Sequence, residues 1–173
     1  MDLESFTQPV IAFVRAHQAW APLIVGLLAF GESLAVLSLL IPATVMLVGI
    51  GALVGASDIA LAPLVVGGAV GASLGAWVSY EVGRHYQHGV KTVWPLSRYP
   101  EMMAKGEAFF HRFGVWAVAI GRFFGPARAF VPLVAGVFEL GRLPFQIANV
   151  GSAIVWAFAL LAPGASLVEW LRG

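Results

Sequence analysis

The stretch from Gly121 to Gly136 reads GRFFGPARAFVPLVAG. Arg122 and Arg128 stand there in an otherwise apolar run that also holds Pro126, Pro132, Gly121, Gly125 and Gly136. An arginine inside a bilayer costs about 2.5–3.5 kcal/mol on insertion scales unless it is paired or faces water. Two of them beside helix breakers predict a broken, half-length helix that lines a cavity. The competing reading is a cytoplasmic loop between two spans. The first is preferred because an ionisable residue within an apolar run is a functional-site signal by default.

The rest of the chain fits a membrane setting. It has 173 residues, 60% hydrophobic and 11% charged, with a mean hydropathy of +0.87. Soluble domains are about half apolar and a quarter charged, and this chain lacks the charge to cover a soluble surface. A net charge of +1 gives no electrostatic case for a nucleic-acid partner. No cysteines are present, which excludes disulfides and thiolate metal sites. The opening MDLESFTQPV is acidic and is not expected to be a signal peptide. At about 20 residues per span, the apolar stretches allow four to six full or partial crossings.

Taken in order, residues 1–18 read as an N-terminal amphipathic segment, with Phe6, Val10, Phe13, Val14 and His17 at helical spacing. Residues 20–84 form a first half. Trp20 to Leu40 is its first long apolar run and contains Glu32; Pro42 breaks it, and a shorter piece follows from Ala43 to Ala56. Leu61 to Tyr80 is rich in small residues, with Gly67, Gly71 and Gly75 spaced by four beside Gly68, Ala72 and Ala76. That spacing predicts a helix whose backbone is closely approached by a neighbour. Tyr80, Glu81 and Arg84 read as an interfacial anchor. Residues 85–113 form a polar, cytoplasmic connection by the positive-inside rule, ending in an amphipathic helix over Glu101 to Phe113. His85 and His88, a lone i,i+3 pair, read with His111 as a solvated basic face, so no metal or cofactor is expected. Residues 114–173 form a second half: Val115 to Phe124, the opening stretch, an interfacial Glu139–Arg142 pair, and a last span over Phe145 to Leu161.

An offset of 90 residues aligns the halves: Gly31-Glu32 falls on Gly121-Arg122, Ile41-Pro42 on Val131-Pro132, and Gly51 on Gly141. Paired broken segments in two halves point to an internal-repeat transporter with its site near the bilayer midplane. The aligned positions carry opposite charges, Glu32 and Arg122. If the halves pack about a pseudo-two-fold axis, a carboxylate and the guanidiniums share one pocket and offset each other's burial. The predicted fold class is therefore an all-α integral membrane protein. It is a single-domain helical bundle with two broken, re-entrant segments related by an internal inverted repeat.

The run AFFHRFGVWAVAIGRFFGPARAFVPLVAG resembles the signature region of the DedA family, whose members are also called VTT-domain or SNARE-associated membrane proteins. The G-R-F, P-x-R and A-G elements carry the likeness. SYEVGRHYQ, Phe145 with Asn149 and Trp156, and Gly31-Glu32 with Ile41-Pro42 extend it over roughly Trp20 to Trp170. One departure stands out. Pro42-Ala43-Thr44 occupies the place where many members have P-G and a second acidic residue. The resemblance implies a polyprenyl-phosphate or phospholipid translocase in the bacterial cytoplasmic (inner) membrane, with undecaprenyl phosphate as one candidate and protons as a candidate coupling ion.

The residues support that class. Arginine binds phosphate bidentately and stays charged. Six residues apart, Arg122 and Arg128 would face differently on an unbroken helix, and the Gly125-Pro126 break lets both point to one side. Glu32 neutralises them in the empty pocket and releases them on protonation. The candidate substrate-binding residues are Arg122, Arg128 and Glu32, with Thr44, Asn149 and Ser152 as a supporting shell. No enzyme activity is expected, since no nucleophile–base pair lies in the apolar runs. A proton-coupled small-ion transporter and a non-transporting membrane scaffold stand as alternatives, and the bilayer and a homo-oligomer as further partners.

Overall fold

A computed structural model of the chain describes residues 19–34, 38, 43–57, 60–92, 100–124 and 127–172. The amphipathic segment expected at 1–18, the Ile41-Pro42 and Gly125-Pro126 breaks and the connection at 93–99 lie outside these residues. All regular structure among the described residues is helical: α1 Ala21–Ser33, α2 Ala43–Ser57, α3 Leu61–Thr92, α4 Pro100–Phe113, α5 Trp116–Gly121, α6 Ala127–Val137 and α7 Arg142–Arg172.

Helix α3 is the wall on which the others are built. It packs against α1, α6 and α7, while α2 packs chiefly against α7. Small residues make this possible. A Cβ placed on Gly67 or Gly71 would overlap the carbonyl of Pro22 or Gly26, and one on Gly75 would lie 2.5 Å from the Phe30 carbonyl oxygen. The spacing of four on α3 meets a spacing of four on α1, so the backbones touch along two turns. Farther along α3 the device repeats: a Cβ on Gly83 would strike the Leu133 carbonyl, and one on Gly136 the Tyr80 carbonyl. In lipid, dispersion between close backbones replaces the hydrophobic drive that water would supply.

The outward faces confirm the apolar surroundings. Val66, Val70, Leu74 and Trp77 on α3 and Ile147, Ile154 and Phe158 on α7 are all exposed. Two helices are long and apolar enough to cross a bilayer, at Leu61–Tyr86 and Arg142–Pro163, and only 39% of each apolar window is buried within the protein. Apolar side chains on the outside and small residues inside suit a lipid solvent.

Several boundaries differ from those expected. The first apolar run does not stay helical to Leu40: α1 stops at Ser33, and Leu34 is extended at φ −85°, ψ 127°. Apolar side chains carry no stop signal, and the end is made by a tertiary contact. Ser79 on α3 donates to the terminal carbonyl of Ser33 at 3.1 Å, satisfying a group the helix itself leaves unpaired. The run Val115 to Phe124 is helical only over the six residues of α5. Phe123 and Phe124 then close tight turns onto Ile120 and Gly121, at 3.1 and 3.2 Å. The chain turns back there, for a Cβ on Gly121 would touch the side chain of Val131, ten residues on. Along a straight helix those residues would be about 15 Å apart. Helix α4 ends where Gly114 adopts φ +55° and its N–H bonds the Phe110 carbonyl at 2.7 Å, a left-handed cap that suits glycine. Helix α3 runs on to Thr92 and α7 through Pro163 to Arg172, both beyond the apolar segments read from the sequence.

The close approach gives a contrast. Gly71→Ala should destabilise the fold, by about 1–3 kcal/mol or more, because the methyl has only backbone to push against. Gly151→Ala, whose Cβ would meet nothing within 4 Å, should be neutral or gain up to about 1 kcal/mol from helix propensity. Thermal unfolding in detergent compares the two. Equal stabilities would contradict the backbone contact between α1 and α3.

Candidate functional site

Three helix ends converge against α3 and α7. Glu32 closes α1, Arg122 caps the C-terminus of α5, and Arg128 is the second residue of α6. Arg128 Nη2 lies 2.6 Å from Glu32 Oε1, with side-chain exposures of 10% and 8%. The contact is an ion pair by distance, and its angles fall outside those of an aligned hydrogen bond. The Arg128 guanidinium also sits 4.5 Å from the centre of the Trp156 ring on α7, within cation–π range.

The helix dipoles sharpen the role of this pair. A carboxylate at the C-terminus of α1 and a guanidinium at the N-terminus of α6 each stand at the unfavourable end of their own helix. Each offsets the other. Pro132 adds to the local polarity, since it has no N–H to give the carbonyl of Arg128 one turn back.

Arg122 is held differently. It is buried, and its Nε donates to Ser152 Oγ at 3.0 Å while Nη2 donates to Asn149 Oδ1 at 2.5 Å and to the Asn149 carbonyl at 3.4 Å. The Asn149 amide is pinned in turn: Nδ2 donates to the Ser73 carbonyl at 3.0 Å and to Gln146 Oε1 at 3.2 Å. Ser152 Oγ donates to the Asn149 carbonyl at 3.1 Å. Among the described residues, every acceptor that Arg122 uses is neutral.

Both arginines line one small cavity with Ser33, Ala76, Val118 and Pro132. Its volume of about 10 Å³ is near the minimum for a single water. Arg128 therefore touches Glu32 and shares the cavity with Arg122. Asn149 and Ser152 touch Arg122 directly, and Asn149 also links α7 to α3. Thr44 lies on α2, but its side chain is outside those described.

Two expectations need correction. Arg142 reaches Glu81 on α3, through Nε to Oε1 at 3.0 Å and Nη2 to Oε2 at 3.1 Å, in place of the expected pair with Glu139. Glu139 lies in the turn between α6 and α7 at φ +53°, while the exposed face of α3 presents Glu81 to Arg142. Tyr80 is no interfacial anchor. It is fully buried and stacks on Phe145 with centroids 4.1 Å apart. Its hydroxyl donates to the Leu140 carbonyl and accepts from Arg84 Nη1 at 3.0 Å, which ties the α6–α7 turn to α3. Trp156 as a partner of Arg128, and Gln146 behind Asn149, were not foreseen. Their signal was present: Gln146, Asn149, Ser152 and Trp156 recur every three or four residues along one stripe of α7.

A helical membrane protein with a buried, charged centre at helix ends is the class these features define. A profile of the VTT domain matches residues 41–166, and the chain belongs to this family, the DedA family. Its relatives include the inner membrane protein YabI of Escherichia coli, 30% identical over 152 residues, which cover 88% of this chain and 60% of YabI. An uncharacterized membrane protein of Buchnera aphidicola is 27% identical over 153 residues, with the same coverage of 88% and 60%. The inner membrane protein YqjA of Escherichia coli is 38% identical over 98 residues, 55% of this chain and 44% of YqjA. The chain therefore spans about three fifths of the length of the first of these relatives. No solved structure matches it.

Breaking the ion pair from one side should cost more than removing it. Arg128→Met leaves the Glu32 carboxylate buried without its cation and should lose about 3–5 kcal/mol. Glu32→Met with Arg128→Met should recover most of that loss. Denaturant unfolding in mixed micelles reads the difference. A double variant as unstable as Arg128→Met would show that the single loss is not a charge effect.

Proposed function

We propose that this chain is a lipid-phosphate translocase, a flippase or scramblase, multi-pass in the bacterial cytoplasmic membrane. It binds the phosphate head group with Arg122 and Arg128, and its substrate is undecaprenyl phosphate or a related phospholipid. The observation that carries the reading is the Glu32–Arg128 ion pair beside Arg122. Two guanidiniums at one small cavity are the side chains that recognise phosphate, and a carboxylate already on one of them is a counter-ion that a phosphate can replace.

The packing pattern supports two re-entrant segments in an inverted repeat. Helix α2 of the first half packs on α7 of the second, and α6 of the second half packs on α3 of the first. Exchanging the halves maps each contact onto the other. The contacts of α1 with α3 and of α5 with α7 correspond in the same way. Glu32 and Arg122, aligned by the 90-residue offset, both sit at the end of the helix that leads into a break.

In the closed arrangement the site neutralises part of its own charge. When Glu32 is protonated the head group can take its place on Arg128, while the tails stay in lipid. Asn149 and Ser152 keep Arg122 aimed at the cavity. The membrane names of YabI and YqjA are compatible with this reading and say nothing of substrate.

Head-group translocation in proteoliposomes tests the proposal, comparing undecaprenyl phosphate with ordinary phospholipids. Arg122→Ala and Arg128→Ala should slow translocation at least tenfold, and Glu32→Gln should change its pH dependence. Unchanged rates in all three variants would overturn the assignment. Ion flux without lipid movement would favour a small-ion carrier.

A further inference from the structure

The two arginines differ in their charge balance. Arg128 faces the Glu32 carboxylate, and the two sum to zero. Arg122 donates to an amide oxygen, a hydroxyl and a carbonyl, all neutral. Three other charged residues of α3 and α7 are engaged elsewhere. Glu81 and Arg142 hold each other at an exposed position, and Arg84 bonds Tyr80 and the Leu140 carbonyl. Around Glu32, α6 presents Arg128, α3 presents Ser79 to the neighbouring Ser33, and α7 presents Trp156 behind Arg128, while Arg122 at the end of α5 lines a cavity with Arg128 and Ser33. The described side chains of α2, Met46 to Ala52 and Val54, are uncharged. Among the described residues, the centre therefore carries one net positive charge when Glu32 is ionised.

We propose that this standing charge on Arg122 makes the site selective for ligand charge: a phosphodiester head group binds without a proton, and a phosphomonoester dianion binds together with one proton taken up by Glu32. This rests on the lipid-phosphate reading above. A low-dielectric site favours the occupant that brings its net charge to zero, because residual buried charge is costly. A phosphodiester carries one negative charge and balances Arg122 while Glu32 stays on Arg128. A phosphomonoester above its second pKa, about 6 for a phosphate ester, carries two. The second negative charge is balanced when the Glu32 carboxylate gains a proton from water and its new O–H replaces the ion pair. Arg128 is then free to make the second set of hydrogen bonds to phosphate. Release returns the proton and restores the pair.

The count is measured directly by titration calorimetry. Purified protein in detergent is titrated at about pH 8, where a free phosphomonoester is largely dianionic. Phosphatidic acid and phosphatidylglycerol with the same acyl chains are each run in two buffers of different ionisation heat. The expected uptake on binding is about one proton for phosphatidic acid and about none for phosphatidylglycerol. In Glu32→Gln the uptake with phosphatidic acid should disappear while binding persists, because the fixed charge already matches the dianion. Equal uptake for both lipids in the wild-type protein would overturn the proposal. So would uptake that survives in Glu32→Gln, since the proton would then ride on the phosphate. If neither lipid binds the wild-type protein, the lipid-phosphate reading fails first and this inference with it.

Discussion

The Glu32–Arg128 ion pair is the constraint on which the rest of the arrangement depends. It joins the end of α1 to the start of α6, two points 96 residues apart in the chain. Each charge stands where its own helix dipole opposes it, so neither end is comfortable in a bilayer alone. Brought together they become tolerable. The approach requires both helices to lie against the same face of α3. Gly67, Gly71 and Gly75 draw in α1, and Gly83 and Gly136 draw in α6. The small-residue ladders and the ion pair therefore form one design, in which backbone contact along α3 sets the distance at which the charges meet.

Much of this design was legible in the sequence, for identifiable reasons. Glycines spaced by four announce close helix packing whatever the partner, and charges in an apolar run are rare enough to draw attention one by one. The alignment of Glu32 with Arg122 named the carboxylate, although the structure gives Arg128 as the residue it touches. What stayed hidden depends on tertiary contact. The end of α1 at Ser33 is fixed by Ser79 from another helix, and nothing in the apolar residues that follow records it. The partner of Arg142 lies on α3, sixty-one residues back, while Glu139 beside it in sequence is turned by a left-handed backbone. Tyr80 has the composition of an interfacial residue, and only the arrival of Phe145 and the Leu140 carbonyl makes it a core residue.

Helix α7 explains how two arginines in one cavity are held differently. Its Asn149 and Ser152 give Arg122 three acceptor contacts, and the Asn149 amide is itself fixed to Gln146 and, through the Ser73 carbonyl, to α3. A hydrogen-bonded network of this kind holds a side chain in one orientation. Arg128 has the flat face of Trp156, which supports a cation without fixing its rotation, and a carboxylate met at an angle poor for hydrogen bonding. The consequence is a division of labour. Arg122 is anchored to the frame of α3 and α7 through neutral acceptors, whereas Arg128, carried on α6, is balanced by the Glu32 carboxylate at the end of α1.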